Sequence, residues 1–162
     1  MDFAEEVTQH AVALTDPLSG PSSMEHLILP GVLSSLADVT AFVTRQAEAA
    51  GLDERATHRL LLAMDELVTN IILHGYKEQG LSGDIVIRAE LTPDTLTIST
   101  EDTAVPFDPS NRPDPASLTL SLEDRPIGGV GIFLMFKSVD QVQYTYREGK
   151  NCNRLVMTRT RG

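Results

Sequence analysis

Cysteine is almost missing from this sequence. Cys152 is the only one among 162 residues, so the chain cannot close an internal disulfide, as suits a reducing compartment. Long apolar runs are missing as well, since none approaches the roughly 20 residues that a membrane-spanning helix needs. Basic character is lacking at the N-terminus: Met1-Asp2-Phe3-Ala4-Glu5-Glu6 is acidic where a signal peptide would be basic. Together these absences point to the cytoplasm and away from a membrane. Clustered positive charge is lacking too. The net charge is −10, and the thirteen Lys and Arg residues are scattered without interleaved aromatics. A phosphate-backbone partner is gripped mainly by grouped cations, so nucleic acid is excluded as a partner. The acidic surplus serves solubility, and it would also suit a basic protein partner.

What is present is an ordinary globular composition, 41% apolar and 22% charged, in a chain long enough for one buried core. Residues 1–23 carry weak signals, a short helix over Thr8–Leu14 and the turn chemistry of Asp16-Pro17-Leu18-Ser19-Gly20-Pro21. They read as an extension to a single domain over residues 24–162. Met24 to Leu29 reads as a strand ended by Pro30-Gly31. Ser34 or Ser35 can cap a helix to about Ala50, with Leu36, Val39, Phe42 and Val43 as its buried stripe and Gly51 as its stop. A second helix is expected from Asp53 to Leu73, where Leu60, Met64, Leu67 and Ile71 recur at helical spacing beside Leu61, Val68 and Ile72.

Ile85, Ile87, Ala89 and Leu91 alternate with Val86, Arg88 and Glu90, and Thr95 to Thr100 pairs back across Thr92-Pro93-Asp94 as a hairpin. Glu101 to Ile127 holds five of the nine prolines (Pro106, Pro109, Pro113, Pro115 and Pro126) and no apolar period, so it reads as a long loop, a feature usually tied to function or disorder. A short helix over Ile132–Ser138 follows Gly128-Gly129-Val130-Gly131. The chain ends in a hairpin in which Val142, Tyr144 and Tyr146 alternate, Glu148-Gly149-Lys150-Asn151 turns, and Leu155 and Met157 alternate. The order gives an α+β class: a two-layer sandwich of a mixed, mostly antiparallel sheet with helices on one face.

Three segments can carry chemistry, and each has a plainer reading. Glu66 and Asn70, four apart on one helix, share a face. A carboxylate beside an amide suits general-base work and a hard cation, though a solvated polar pair at the edge of an apolar stripe is the commoner case. Asp102, in Glu101-Asp102-Thr103-Ala104-Val105-Pro106-Phe107-Asp108-Pro109, follows a strand and can accept from an exocyclic amine; the same residues also make a common strand-ending turn. Gly128-Gly129-Val130-Gly131 at a helix start can cradle phosphates, or can simply be a flexible loop end.

Their order within one small α+β domain carries a resemblance. Ala63-Met64-Asp65-Glu66-Leu67-Val68-Thr69-Asn70, continuing to His74-Gly75-Tyr76, resembles the first motif of the Bergerat-fold ATPases. Pro106-Phe107-Asp108-Pro109, Gly128-Gly129-Val130-Gly131-Ile132-Phe133-Leu134 and Leu29-Pro30-Gly31 place the resemblance in the branch of the bacterial serine-kinase anti-sigma factors, over roughly Met24 to Thr160. The resemblance implies an ATP and Mg²⁺ site. In it Glu66 is the general base, Asn70 the Mg²⁺ ligand, Asp102 the reader of the adenine amine, and Gly129 and Gly131 the phosphate-facing glycines. Ala104, Phe107, Arg125, Gly128, Val130 and Ile132 complete the implied nucleotide-binding set, with Arg125 reaching the γ-phosphate from a lid over 110–127. His74, at the helix end, reads as a cap or packing residue. Where the family usually carries glycine, two residues after the adenine-reading Asp, this chain has Ala104, whose methyl group is expected to crowd the nucleotide and weaken its binding. The implied function is that of a serine/threonine kinase that holds a sigma factor and phosphorylates a serine of an antagonist protein. The rival expectation is a nucleotide-gated binding module without phosphotransfer. The catalytic half of a histidine kinase ranks lower, since no dimerising helix pair with an acceptor His is present. Family members often pair through the first strand and helix, which leaves room for a homodimer.

Overall fold

The computed structural model of the chain describes residues 22–109 and 129–160. The expected helix over Thr8–Leu14, the whole of the expected lid with Arg125, and Gly128 lie outside the described residues. Strand β1 (Ser23–Pro30) leads through a single 3₁₀ turn (Leu33–Ser35) into helix α1 (Leu36–Ala49). Helix α2 (Glu54–Asn70) follows and continues without a break as a π-helical turn, Ile71–Tyr76. Strands β2 (Asp84–Leu91) and β3 (Thr95–Asp102) form a hairpin, and helix α3 (Gly129–Ser138) precedes a second hairpin of β4 (Gln141–Arg147) and β5 (Lys150–Thr158). The five strands lie in the order β1-β2-β3-β5-β4, and every neighbouring pair is antiparallel. The sheet expected to be mixed is therefore antiparallel throughout.

The helices bury one face each against the sheet. Val39, Phe42, Val43 and Ala47 of α1 join Leu60, Ala63, Met64, Leu67 and Val68 of α2 in the core, and Ile132 and Met135 anchor α3 there. The inner face of the central strands changes character along its length. Leu96 and Ile98 on β3 oppose Met157 and Leu155 on β5, all buried and apolar. Two residues further toward the other end, the inward positions become Thr100 and Asp102 opposite Asn153 and Asn151, and these are buried as well. Buried polar groups cost free energy unless they are partnered, so this polar half of the sheet marks where a site is to be sought.

Several boundaries differ from the expected ones for physical reasons. Ser35 does not cap α1; it lies in the 3₁₀ turn and its hydroxyl donates to the Pro30 carbonyl at 2.7 Å. Asp53 caps α2, accepting from the Ala56 amide at 2.7 Å. The α2 pattern expected to run to Leu73 gives way at Ile71 to π geometry, a change that apolar periodicity alone does not register. Strand β3 runs on through Glu101 and Asp102, so the loop starts later than expected, and α3 includes Gly129 and Gly131. The final turn is made by Glu148 (φ 54°) and Gly149 (φ 77°), the paired positive values of a tight hairpin. Lys150 and Asn151, expected in that turn, open β5.

Candidate functional site

A cavity of about 280 Å³ lies between the end of α2 with its π turn and the polar half of the sheet. Asn70 and His74 look into it from the helical side, and Asp102, Asn151 and Asn153 from the sheet. Leu67, Ile71, Ala104, Val105, Phe107 and Ile132 supply apolar walls, so a few polar groups converge in a largely apolar cleft, the usual make-up of a small-molecule site.

Asp102 is the central group, with only 2% of its surface exposed. Its Oδ1 accepts from the Ala104 amide at 3.0 Å and from Asn151 Nδ2 at 3.0 Å. Its Oδ2 is buried with no hydrogen-bond partner among the described residues. Burial pushes the Asp102 carboxyl above its ordinary value of 3.8, against the downward pull of Asn151 and the Ala104 amide, while neighbouring Glu101 adds to the rise. Thr100 Oγ1 and Asn153 Oδ1 are likewise buried without a described partner. Three polar atoms at one end of the sheet thus stay without a partner among the described residues, and each calls for one.

Two contacts fix the distance between α2 and this floor. Tyr76, in the π turn, donates its hydroxyl to the Asp84 carbonyl at 2.8 Å and accepts from the Thr103 amide at 2.9 Å. Its ring fills the space beside Gly31, where a Cβ would come within 2.7 Å of Tyr76 Cδ2, and Gly83 is equally tight against the Tyr76 hydroxyl at 2.9 Å. The Leu29-Pro30-Gly31 and His74-Gly75-Tyr76 segments thus meet as one joint. The second contact is between Gly75 and Ala104: a Cβ on Gly75 would lie 2.8 Å from the Ala104 methyl. Ala104 is buried and lines the cavity, with its methyl group packed on the helical turn.

Of the residues expected at the site, Asn70, Asp102, Ala104, Phe107 and Ile132 come together around the cavity. Phe107 is 53% exposed at its rim. Glu66 stands apart from the lining. Its Oε2 faces Gly131, where a Cβ would sit only 2.0 Å away, so the first turn of α3 rests on the Glu66 carboxylate. Burial, and next to it the charge of Asp65, holds the Glu66 carboxyl above 4.5. Gly129, Val130 and Gly131 lie in the first described turn of α3. His74 lines the cavity, and its Nδ1 lies 2.9 Å from Glu78 Oε2 but out of line for a hydrogen bond. Sequence reasoning passed over Asn151, Asn153 and Thr100; the signal was a period-two alternation that continues in polar residues.

Comparison with known proteins identifies a family for this chain. A family model described as the histidine kinase-like ATPase domain matches residues 29–159. A curated serine-protein kinase RsbW of Listeria innocua is 30% identical over 116 residues, covering 70% of this chain and 71% of that protein. The RsbW of Bacillus cereus is 34% identical over 91 residues, covering 54% of this chain and 56% of that one. A solved structure of the RsbU and RsbW domains of a Mycobacterium tuberculosis protein superposes with a TM-score of 0.60 at 18% identity, covering 88% of this chain. This chain spans 34% of that longer one, and at such identity the likeness speaks for the fold. The chain therefore belongs to the histidine kinase-like ATPase domain family, in its serine-kinase anti-sigma factor branch.

Proposed function

We propose that this chain is a Mg·ATP-binding serine/threonine protein kinase of the anti-sigma factor type, holding a sigma factor and phosphorylating a serine of an antagonist protein in the bacterial cytoplasm. The observation that carries the reading is Asp102 Oδ2, a buried acceptor left open on the floor of a cavity that Asn70 also faces. Leaving such a group unpaired costs about 1–3 kcal/mol, which an exocyclic amine donating into the cavity would relieve. The residues present also fit the metal. No cluster of three His, Cys, Asp or Glu side chains suited to a metal occurs among the described residues, and Mg²⁺ in kinase sites takes few protein ligands, the remainder being phosphate and water. Asn70 would hold it through its amide oxygen.

Bound Mg·ATP supplies the phosphoryl group and the charge neutralisation that its transfer needs. The chain's own residues do the rest in this reading. Asp102 selects the base, Phe107, Ala104 and Ile132 wall it, and Gly129, Val130 and Gly131, with Gly128 and Arg125 before them, approach the phosphates. Glu66 takes the proton of the acceptor serine. Its raised pKa makes it a better base than an ordinary carboxylate. Residues 24–162 form the ATP-binding domain in this reading, residues 1–23 are an extension, and a homodimer is compatible with it.

The test is calorimetric titration with ATP, with and without Mg²⁺, beside Asn70→Ala, followed by phosphate incorporation into an antagonist. Magnesium-dependent binding that Asn70→Ala loses, and phosphotransfer that Glu66→Ala abolishes without losing nucleotide, are the expected results. No heat at millimolar ATP overturns the nucleotide reading. A second reading, a nucleotide-gated binding module without phosphotransfer, draws support from the placement of Glu66 against Gly131 and outside the cavity lining. It predicts ATP binding with the antagonist left unmodified.

A further inference from the structure

We propose that Asn151 is a positioning residue for the base-reading carboxylate: its amide, held in one orientation by Tyr144 and Phe107, turns Asp102 so that Oδ2 alone is offered to the ligand. The inference rests on the nucleotide reading above and adds to it a residue on a different strand.

Asn151 stands directly opposite Asp102 across the β3–β5 ladder and is 3% exposed. A side-chain amide has a donor end and an acceptor end, and the neighbours decide which points where. Here they leave one answer. The Phe107 backbone amide, which can only donate, reaches one end at 3.2 Å, so that end is Oδ1; the Tyr144 hydroxyl donates to the same oxygen. The other end meets three acceptors: Asp102 Oδ1 at 3.0 Å, the Ala104 carbonyl at 3.1 Å and the Val105 carbonyl at 3.1 Å. A flipped amide would set its oxygen against all three and its NH₂ against an N–H. The orientation is therefore determined, with Nδ2 toward the carboxylate.

Two consequences follow for the ligand. Asp102 Oδ1 is saturated by Asn151 and the Ala104 amide, which leaves Oδ2 as the one acceptor for a ligand N–H. The same side chain ties the backbone of Ala104, Val105 and Phe107, the wall beside that acceptor, to the strand that faces Asp102. One residue thus sets both the direction of the carboxylate and the wall against which the base lies. Tyr144, on the next strand, acts one step behind it.

The experiment compares ATP with purine riboside triphosphate, which lacks only the 6-amino group, on wild type, Asn151→Ala and Tyr144→Phe. A hydrogen bond to a charged group is worth about tenfold or more in affinity, so the wild type is expected to prefer ATP by at least that factor. Asn151→Ala should remove most of this preference by weakening ATP well beyond the amine-free analogue, whose smaller loss reports the wall that Asn151 also ties. Tyr144→Phe keeps every packed ring atom and removes one of the two donors that hold Asn151 Oδ1, so it should reduce the preference in the same direction, though by less; it decides the matter if Asn151→Ala does not fold. Equal losses for both nucleotides would reduce Asn151 to a structural residue and overturn the proposal while leaving Asp102 as the reader of the base. A wild type that does not distinguish the two nucleotides would instead overturn the reading of Asp102 itself, and the proposal with it.

Discussion

Gly75 and Ala104 behave in this structure as a matched pair, and the match can be measured. A Cβ added at Gly75 would stand 2.8 Å from the Ala104 methyl, well inside the roughly 3.5–4.0 Å at which carbon atoms rest against each other. Forcing an extra methyl into a packed contact of this kind costs typically about 1–3 kcal/mol. Against that, Gly75 lies in a helical turn without positive φ, where alanine gains about 0.5–1 kcal/mol over glycine. Gly75→Ala in the wild type should therefore be neutral to destabilising, by up to about 2.5 kcal/mol on these figures. In an Ala104→Gly background the obstructing methyl is gone, and the same substitution should become stabilising by about 0.5–1 kcal/mol. The sign reversal is the signature, and urea unfolding of the four proteins reads it as a coupling energy of about 1–3 kcal/mol. Gly75→Ala stabilising the protein equally in both backgrounds would refute the contact. The cycle also addresses the glycine that the family usually carries at position 104: here the alanine methyl is accommodated by Gly75, so Ala104→Gly should change ATP affinity little.

Asp102→Asn should abolish ATP binding while leaving the fold at least as stable near neutral pH. The folded-state pKa of Asp102 lies above its ordinary 3.8, so the native state holds that proton more tightly than the unfolded chain. The contribution of Asp102 is thus most favourable below 3.8 and is lost as pH rises through the raised value. The stability difference between wild type and Asp102→Asn, followed by urea unfolding across pH, should turn against the wild type as pH rises; a difference that moves the other way would contradict the burial argument. Gly131→Ala puts a Cβ 2.0 Å from Glu66 Oε2 and must displace that carboxylate or the first turn of α3. Phosphotransfer is expected to fall far more than nucleotide affinity, and parallel kinetic and calorimetric measurements distinguish this from a general loss of the site.

The apolar framework was legible because burial imposes period on sequence. Leu60, Met64 and Leu67 on α2, and Ile85, Ile87 and Ala89 on β2, repeat as their elements demand and are all buried. Legibility failed where the buried face turns polar. Strand β3 was expected to stop at Thr100 because Glu101-Asp102 reads as turn chemistry, yet Asp102 continues the inward alternation. On β5, Asn151 reads as part of a turn that Glu148 and Gly149 complete by themselves. The residues missed at the site are thus the ones whose polarity departs from the pattern that positions them. Asn70 and Asp102, singled out by motif instead, line the cavity, while Glu66 and Gly131, singled out in the same way, stand outside its lining. Even so, the motif did not show that Glu66 meets Gly131 rather than the cavity, since that depends on how α3 docks.

The two halves of the inner sheet face answer to different demands. Leu96, Ile98, Leu155 and Met157 close the core and make the strands stay together. Had the alternation continued with valine or leucine at Thr100, Asp102, Asn151 and Asn153, burial would have been more favourable and no open acceptor would remain. The polar half is tolerated because its groups are partly satisfied by one another, Asn151 alone serving Asp102, Ala104, Val105, Phe107 and Tyr144. What that network leaves open, Asp102 Oδ2 above all, is held in place by the Tyr76 joint, which ties the π turn to the end of β3. A cleft between a helix and a sheet can only read a small ligand if the two walls keep their spacing. Here that spacing is set by a tyrosine, and the room for its ring depends on Gly31 and Gly83.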